Sequence, residues 1–463
     1  MLSILEGSHP LSRRKLLTIG SLGLVALSLP ALLAARAGAA GVRSPVSGKS
    51  VIFLFQQGGP SQFETFDPKV DAPQGVRTVT GTVQTSLPGV LFGEPMSRLA
   101  RLADKLTIVR SYQTNNGGHN LQPLVGPASR ETNIGVHYAR IAGSTRSSTG
   151  MPTNTVLYPS SVDTGVPGPS ARGDLLATGT YGAGYAPFVP GAGGQLQKNL
   201  TLNLSRERFV NDRQELLKQL DGLNRQVDAS GQIEAMDEMQ QQAYRLLLGG
   251  GVAKAFDLSQ EDPATLARYD TRSYARKWDK AKRSPMYTAE AATIGKLLLL
   301  ARRLCEAGCG FVTIHASYAG VWDMHADGNN LNMIDGMDAV GRSFDHAVAA
   351  FVEDLEARGL TDRIMLVASG EMGRTPKINK GGGRDHWSRL APLLMYGGGI
   401  PGGQVIGQST RDGAEPATEN LTPQHLISTI LRTAFDLDQL RVTAGVPQPI
   451  QQLSQADPIP GLV

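Results

Sequence analysis

Short apolar runs that end at polar loops recur along the chain. The first run, Ser50–Gln57, is followed by Gly58-Gly59-Pro60, which is the pattern of a buried strand that enters a loop. Similar strands are predicted at Leu106–Val109, Phe311–His315, Arg363–Ala368 and Leu393–Tyr396. Apolar residues at helical spacing predict helices at Met96–Ala103, Ala289–Glu306, Gly341–Arg358 and Thr422–Phe435. Because strands and helices alternate, we predict an α/β fold with a largely parallel central sheet and helices on both faces.

The domain organisation follows from the same pattern. The α/β domain is predicted to cover residues 50–440, and residues 441–463 are predicted to form a C-terminal tail. Leucines at helical spacing within Ser205–Leu248 predict a helical insertion at about residues 205–248. We expect this insertion to be either a solvated structural hairpin or a lid over the site.

The first 39 residues have the features of an export signal. Arg13-Arg14 precedes the apolar run Leu16–Leu33, and Ala37-Gly38-Ala39 offers a cleavage site, so the segment resembles a twin-arginine signal peptide. A membrane anchor is the alternative, but glycines and a proline interrupt the run, whereas a span usually needs ~20 uninterrupted apolar residues. We therefore predict that residues 1–39 engage the twin-arginine translocon and are removed, which leaves a periplasmic or secreted protein with no stable membrane span.

Composition indicates a folded protein and excludes several partners. Of the 463 residues, 41% are hydrophobic and 19% are charged, so the chain can bury a large core. Most of the formal net charge of +4 lies in the predicted signal peptide, so no basic patch remains that would predict a nucleic-acid partner. Cys305 and Cys309 are interpreted as buried, inert thiols, because a disulfide between them within one continuous helix would be strained.

Carboxylates and imidazoles are concentrated in the loops at the predicted strand ends. Trp322-Asp323-Met324-His325 follows one strand, Ser369–Arg374 follows the next, and Arg384-Asp385-His386-Trp387 precedes the last. In a parallel sheet such ends meet at one edge, where ligands bind. Asp, Glu and neutral His are ligands for Zn²⁺ or Mn²⁺ in hydrolases, so the three motifs together predict a metal site. Each motif alone is more often a capped loop with a hydrogen-bonded histidine.

The histidines divide by their predicted positions. Those inside predicted strands or helices, which we interpret as packing residues, are His315, His346 and His425. Those in loops, which are candidates for the site, are His119, His325 and His386.

Five segments form an ordered set along the chain: FLFQQGGPSQFETFDPK, VRSYQTNNGGHN, WDMHADGNN, GEMGRTPKIN and GGGRDHW. Together they resemble an exported bacterial family, domain of unknown function 1501, which is grouped with the alkaline phosphatase and sulfatase superfamily. The resemblance covers about residues 50–440. It implies an α/β sandwich with a metal-assisted site for phosphate or sulfate esters and a divalent cofactor, Zn, Mn or Ca. By motif position, the implied metal ligands are Asp323, His325, Glu371, Asp385 and His386.

The chain departs from that superfamily at two positions. Gln56-Gln57 stands where the superfamily has a metal-binding Asp at the end of the first strand, which implies that one metal position is missing. The superfamily nucleophile, a Ser, Thr or Cys, would fall at Asn116 when counted back from Gly126, and the nearest hydroxyl belongs to Thr114. An Asn side chain cannot be deprotonated to attack phosphorus, so we expect direct attack by metal-activated water.

The sequence therefore predicts an exported, metal-dependent hydrolase of phosphate or sulfate esters that acts on a small-molecule or polymer-borne anionic ester. The candidate catalytic residues are His119, as acid/base or anion donor, Thr114 and Asn116. The candidate substrate-binding residues are Asn120 and Arg374, with Arg374 as a clamp for the substrate anion. The alternative is a non-catalytic periplasmic or cell-surface binding protein that retains the fold and has lost the nucleophile.

Overall fold

The computed structural model describes residues 44–146, 148–190, 250–316 and 318–463, together with the dipeptides Leu5–Glu6 and His9–Pro10, which pair as short antiparallel strands. Apart from these dipeptides, the predicted signal peptide at residues 1–39 lies outside the described residues. The predicted helical insertion at about residues 205–248 also lies outside them. Within the described ranges, no helix is both long enough and apolar enough to cross a membrane.

Most strands of the α/β domain belong to one seven-stranded sheet. In chain order, the strands after the dipeptides are β1 Ser50–Phe55, β2 Thr82–Gln84, β3 Leu91–Gly93, β4 Thr107–Val109, β5 Asn154–Leu157, β6 Phe311–Ile314, β7 Ile364–Ser369, β8 Gly373–Arg374, β9 His386–Trp387, β10 Leu393–Gly397 and β11 Gln404–Ile406. The central sheet has the order β11-β4-β10-β7-β1-β6-β5. Two antiparallel pairs, β2 with β3 and β8 with β9, lie outside it.

One strand of the central sheet runs against the others. β1 is parallel to both β7 and β6, whereas β10 is antiparallel to both of its neighbours, β7 and β4. Leu393 at the start of β10 therefore pairs with Ser369 at the end of β7. This orientation brings the loop before β10 to the edge where the parallel strands end.

Helices cover both faces of the sheet. In chain order they are α1 Ser97–Arg101, α2 Ile134–Ala142, α3 Gly250–Phe256, α4 Pro263–Arg268, α5 Ser284–Glu306, α6 Met333–Gly336, α7 Arg342–Arg358, α8 Pro423–Ala434, α9 Leu437–Val442 and α10 Gln448–Gln455. Ile52 and Leu54 of β1 point into a core shared with α5 and α7, and Val51, Phe53 and Phe55 point into a core shared with α2, α8 and α10. The predicted α/β fold with a largely parallel sheet is confirmed.

The C-terminal segment of the chain packs against the α/β domain. Residues 441–463, the predicted C-terminal tail, include α10, and Ile450, Leu453, Ile459 and Leu462 from this segment are buried in the second core. The Ser428 hydroxyl of α8 donates to the Ala456 carbonyl oxygen at 2.6 Å. The segment therefore contributes apolar burial to the domain.

Cys305 and Cys309 are both buried and both free, which confirms their interpretation as buried thiols. Burial raises the pKa of Cys309 to about 11. Because the thiolate is the reactive form, this thiol is inert at neutral pH.

Candidate metal centre

The candidate residues converge at the edge where the parallel strands end. Gly58 follows β1, His119 lies in the loop after β4, Asp323 lies in the loop after β6, and Glu371 follows β7. His386 lies before β10, and it reaches the same edge because β10 is antiparallel to its neighbours. The topology thus gathers residues from distant parts of the chain at the edge where α/β sheets bind ligands.

The Asp323 carboxylate lies at the centre of this group. Its Oδ2 is 2.9 Å from Nε2 of His119, and its Oδ1 is 2.7 Å from Nε2 of His325 and 3.1 Å from Nε2 of His386. The ring centroids of His119 and His325 lie 4.4 and 4.7 Å from that of His386. Three imidazoles therefore surround one carboxylate. We call these four residues the Asp323 cluster.

The other nitrogen of each imidazole also faces an oxygen acceptor. The Nδ1 contacts are His119 with Glu371 Oε1 at 2.9 Å, His325 with Asp385 Oδ1 at 3.0 Å and His386 with the Gly117 carbonyl oxygen at 2.8 Å. Ionised carboxylates and carbonyl oxygens only accept hydrogen bonds, so each Nδ1 must carry the proton. In a neutral imidazole this leaves a lone pair on Nε2, and all three Nε2 atoms face the central carboxylate.

Lone pairs that face a carboxylate repel it, so this arrangement needs a compensating positive charge. Either each imidazole carries a second proton, which places positive rings against one another, or the nitrogens and the carboxylate would together hold a metal ion. Metal-ligating histidines have this pattern, with the second ring nitrogen donating to a carboxylate or a carbonyl. Ligand atoms of His119, Asp323 and His386 all lie within 4.8 Å of one another. The donors fit a divalent ion that takes nitrogen and carboxylate ligands, such as Zn²⁺ or Mn²⁺.

Neighbouring groups keep the central carboxylate ionised despite its burial. Burial raises the pKa of Asp323, but its contacts with the three imidazoles and the charge of Arg374 hold that pKa well below its ordinary value. Burial would lower the pKa of His119, but its contacts with Asp323 and Glu371 raise it. The His386 side chain is 27% exposed and that of Asp323 is 5% exposed, so solvent reaches the cluster from the His386 side.

Glu371 is completely buried beneath His119. The backbone N–H of Gly58 donates to both of its carboxylate oxygens, at 2.9 and 3.1 Å. Gly58 has φ of +123°, and a Cβ there would lie 2.8 Å from backbone atoms of Trp322 and Asp323. Only glycine fits this close approach of the first strand to the cluster.

Arg374, the predicted anion clamp, lies in the protein interior and contacts the Asp323 cluster from there. Its guanidinium is completely buried and donates to Asp323 Oδ1 at 2.8 Å. Its other donors contact the carbonyl oxygens of Gly58, Gly59, Trp322 and Arg384. This geometry gives Arg374 a part in positioning Asp323, and its contact with a substrate anion stays a prediction.

The loop that was expected to carry the nucleophile lies beside Glu371. Thr114 is buried, and its hydroxyl oxygen accepts a hydrogen bond from the Asn116 backbone at 3.4 Å. Asn116 Nδ2 donates to Asn120 Oδ1 at 2.9 Å and to the Glu371 carbonyl oxygen at 3.2 Å. Asn116 therefore ties the loop that carries His119 to the loop after β7, and its contact with Asn120 braces the His119 loop itself. Catalytic or substrate-binding roles for these three residues stay predictions.

Gln57 is fully buried just after β1, where the family resemblance implies a metal-binding Asp. Its Nε2 donates to the carbonyl oxygens of Asn120 and Arg172 at 2.9 and 3.3 Å. Its Oε1 accepts from the Arg172 backbone and lies 3.0 Å from Nε2 of His315. The side chain of Gln57 thus holds two loops together.

A family model described as "Protein of unknown function (DUF1501)" matches residues 48–463. The chain belongs to the DUF1501 family. The resemblance seen in the five sequence segments is therefore confirmed. A comparison with curated proteins found no match.

The solved structures similar to this DUF1501 protein include sulfatases and an alkaline phosphatase. The PsFucS1 sulfatase from Pseudoalteromonas sp. is 13% identical with a TM-score of 0.36, over 92% of this chain and 75% of the sulfatase. The lipoteichoic acid synthase LtaP from Listeria monocytogenes is 8% identical with a TM-score of 0.33, over 89% and 77%. The alkaline phosphatase from the Antarctic bacterium TAB5 is 11% identical with a TM-score of 0.30, over 84% and 99%.

The DUF1501 chain brings the predicted site residues together in an arrangement that the sequence did not reveal. His119, predicted as an acid/base, faces Asp323 as the other two loop histidines do. Glu371 and Asp385, predicted as metal ligands, contact the Nδ1 side of His119 and His325, and their direct ligation stays a prediction. His119 could have been grouped with the ligands, because its loop follows a strand that ends at the same edge.

Proposed function

We propose that this DUF1501 protein is a metal-dependent hydrolase of phosphate or sulfate esters. The observation that carries the proposal is the shared orientation of three imidazoles: each Nε2 faces the Asp323 carboxylate while each Nδ1 is held by an acceptor. Nitrogen and carboxylate donors at the carboxyl edge of a mostly parallel sheet suit a catalytic metal.

The residues around the site divide into ligands and supports. The proposed ligands are His119, Asp323, His325 and His386. The proposed supports, which fix the imidazole tautomers or hold Asp323, are Glu371, Asp385 and Arg374. When bound, a divalent metal lowers the pKa of a water molecule and neutralises the charge that develops on the ester.

Attack by water suits this site better than attack by a side chain. Thr114 supplies the only hydroxyl between Gln113 and Asn120, and it is buried, with its oxygen engaged by the Asn116 backbone. Asn116 cannot act as a nucleophile. In the proposed reaction, water attacks phosphorus or sulfur, the ester oxygen leaves with a proton, and an alcohol and inorganic phosphate or sulfate are released.

The substrate class follows from charge. A bound cation, together with imidazoles that open to solvent at His386, attracts an anionic group. We propose a small-molecule or polymer-borne phosphate or sulfate ester. We also propose that the protein acts in the periplasm or outside the cell, because residues 1–39 resemble a twin-arginine signal peptide.

A panel of aryl phosphate and aryl sulfate esters tests this function. Protein loaded with Zn²⁺ or Mn²⁺ is expected to release the aryl alcohol, and His386→Ala should lower kcat/KM by more than about 100-fold. His346→Ala is the matched control, because this imidazole contacts the Arg268 carbonyl oxygen outside the cluster. Absence of hydrolysis across the panel by metal-loaded wild-type protein would reject the proposal.

A second candidate is a binding protein without catalysis. It is favoured by Gln57, whose amide stands where the resemblance implies a carboxylate ligand, and by Asn116 at the counted nucleophile position. Under this alternative, the metal-loaded protein binds inorganic phosphate or sulfate and hydrolyses no ester of the panel.

A further inference from the structure

A buried ion pair outside the Asp323 cluster joins the segment after β1 to the loop that carries His386. Arg384 and Glu64 are both completely buried, and Nη2 of Arg384 lies 2.9 Å from Oε1 of Glu64. Nε of Arg384 lies 3.1 Å from the other oxygen, so the pair is bidentate. Glu64 lies in the segment after β1, and Arg384 immediately precedes Asp385 and His386. Removing either partner would leave an uncompensated buried charge.

Further contacts fix the direction of both side chains. The remaining donors of Arg384 contact backbone carbonyl oxygens of Val76, Arg77, Thr375 and Pro376. The guanidinium carbon lies 4.2 Å from the ring centroid of Phe63. Glu64 also accepts hydrogen bonds from the Ser61 hydroxyl and the Val79 backbone. A planar guanidinium can satisfy so many acceptors at once, whereas the single ammonium of lysine cannot.

The backbone of Arg384 contacts Met324, the neighbour of Asp323 in the chain, and Arg374, which holds Asp323. Its N–H donates to the Met324 carbonyl oxygen at 3.1 Å, and its own carbonyl oxygen accepts from Nη1 of Arg374 at 3.2 Å. Met324 separates Asp323 from His325, and Arg374 donates to Asp323 Oδ1. A shift of Arg384 would therefore move the cluster from two directions.

We propose that the Glu64–Arg384 ion pair is a positioning device for the metal centre. It holds the Asp385–His386 segment at the place where His386 Nε2 and His325 Nε2 face the same carboxylate oxygen of Asp323. The ion pair acts through the backbone of Arg384, because its guanidinium contacts Glu64 and carbonyl oxygens of other loops, whereas its backbone contacts Met324 and Arg374. This inference has two tests. The test that measures metal affinity rests on the proposed function, whereas the test that uses NMR of the metal-free protein does not.

Two matched substitutions separate positioning from simple stabilisation. Arg384→Lys is compared with Arg302→Lys. Arg302 lies on α5, is also buried, and pairs with Glu261 at 2.8 Å and with Asp354 at 3.0 Å. Both variants should have a lower Tm. Only Arg384→Lys should weaken Zn²⁺ binding to metal-stripped protein, by about 10–100-fold in a chelator competition. Equal losses in the two variants, or an unchanged affinity in folded Arg384→Lys, would overturn the inference.

Imidazole NMR of the metal-free protein provides the second test. With ¹³C-labelled histidine, the Cε1–H signals of His325 and His386 should shift in Arg384→Lys and keep their wild-type positions in Arg302→Lys. Glu64→Gln, which keeps the shape of the partner and removes its charge, should give the same shifts and serves if Arg384→Lys does not fold. Unchanged signals in both Arg384→Lys and Glu64→Gln would contradict the inference. If wild-type protein binds no Zn²⁺, the proposed function fails while this test still decides the positioning role.

Discussion

His119 and Glu371 lie in direct contact, with the imidazole Nδ1 2.9 Å from the carboxylate Oε1. The same carboxylate accepts the backbone N–H of Gly58, so it is held in place by two loops. This contact joins the loop after β4 to the residues after β1 and β7. It also leaves Nε2 of His119 directed at Asp323.

Glu371→Gln tests the value of that contact. With the amide oxygen in the place of Oε1, the contacts with His119 and Gly58 at 2.9 Å are kept, but the NH₂ group faces the Gly58 N–H from the second position and the negative charge beside His119 is lost. We expect metal affinity to fall by about 10–100-fold in a chelator competition, with the fold retained. Glu306→Gln, which alters a contact of Arg302 on α5, is the control. An affinity equal to that of wild type would show that Glu371 does not support the centre.

Thr114→Ala distinguishes the two routes of ester hydrolysis. With water as the nucleophile, turnover of an aryl ester should stay within about threefold of wild type, because the Thr114 hydroxyl contacts only the local backbone. Under a covalent mechanism the same substitution would abolish turnover. The comparison of Thr114→Ala with wild type uses steady-state kinetics, and the metal content is measured on the same samples. Complete loss of activity in a folded, metal-loaded Thr114→Ala protein would establish the covalent route.

The neutral rings of two buried histidines are expected to contribute less to stability as the pH falls into mild acid. Burial lowers the pKa of His137 and His315 to about 4, whereas unfolded histidine titrates near 6.5. As the pH falls, the unfolded state therefore binds protons before the folded state does. The contribution of each neutral ring to the free energy of unfolding is complete above about pH 6.5 and is lost as the pH falls toward 4. In that window, each ring changes the free energy of unfolding by about 1.4 kcal/mol per pH unit.

His137→Gln isolates this effect. Burial raises the pKa of Glu290 to about 8 and that of Asp345 to about 7, so these two groups act in the opposite direction as the pH falls. The difference in slope between wild type and His137→Gln cancels the contributions of both carboxyls. Urea unfolding between pH 7 and 5 should show that the free energy of unfolding, as the pH falls, changes less unfavourably in the variant than in wild type. Identical slopes would mean that His137 is not buried as a neutral ring.

The export prediction rests on the paired arginines Arg13 and Arg14. Changing both to lysine keeps the positive charge and removes the feature that the twin-arginine translocon recognises. Fractionation of cells should then find the precursor in the cytoplasm, whereas the wild-type protein should reach the periplasm or medium. Normal delivery of the double-lysine variant would assign export to another route.

The sequence predicted β1, β4, β6, β7 and β10 and the edge at which their loops meet, because apolar runs and polar loop residues carry that information directly. It did not predict β5 and β11, the short outer strands of the same sheet. It predicted β10 as a strand but not its antiparallel direction, since a buried apolar run has the same pattern in either direction. The direction of β10 explains why the Asp385-His386 motif precedes its strand while Asp323 follows one.

The side-chain arrangement could not be predicted from the sequence. Loop histidines and carboxylates were identified as candidates, but a sequence does not show which imidazole nitrogen faces which carboxylate. Arg374 was predicted as a clamp for a substrate anion, and its complete burial against Asp323 was not predicted. The Glu64–Arg384 ion pair was not found, because its partners are far apart along the chain and only the folded sheet brings them together.

Metal content tests the central claim most directly. Elemental analysis of purified wild-type protein, reconstituted with Zn²⁺ or Mn²⁺ and freed of excess metal, should find about one metal ion per chain for this set of donors. His119→Ala, His325→Ala and His386→Ala should each lower the bound metal, and His346→Ala should retain it. Wild-type protein that carries no metal after reconstitution would contradict the account.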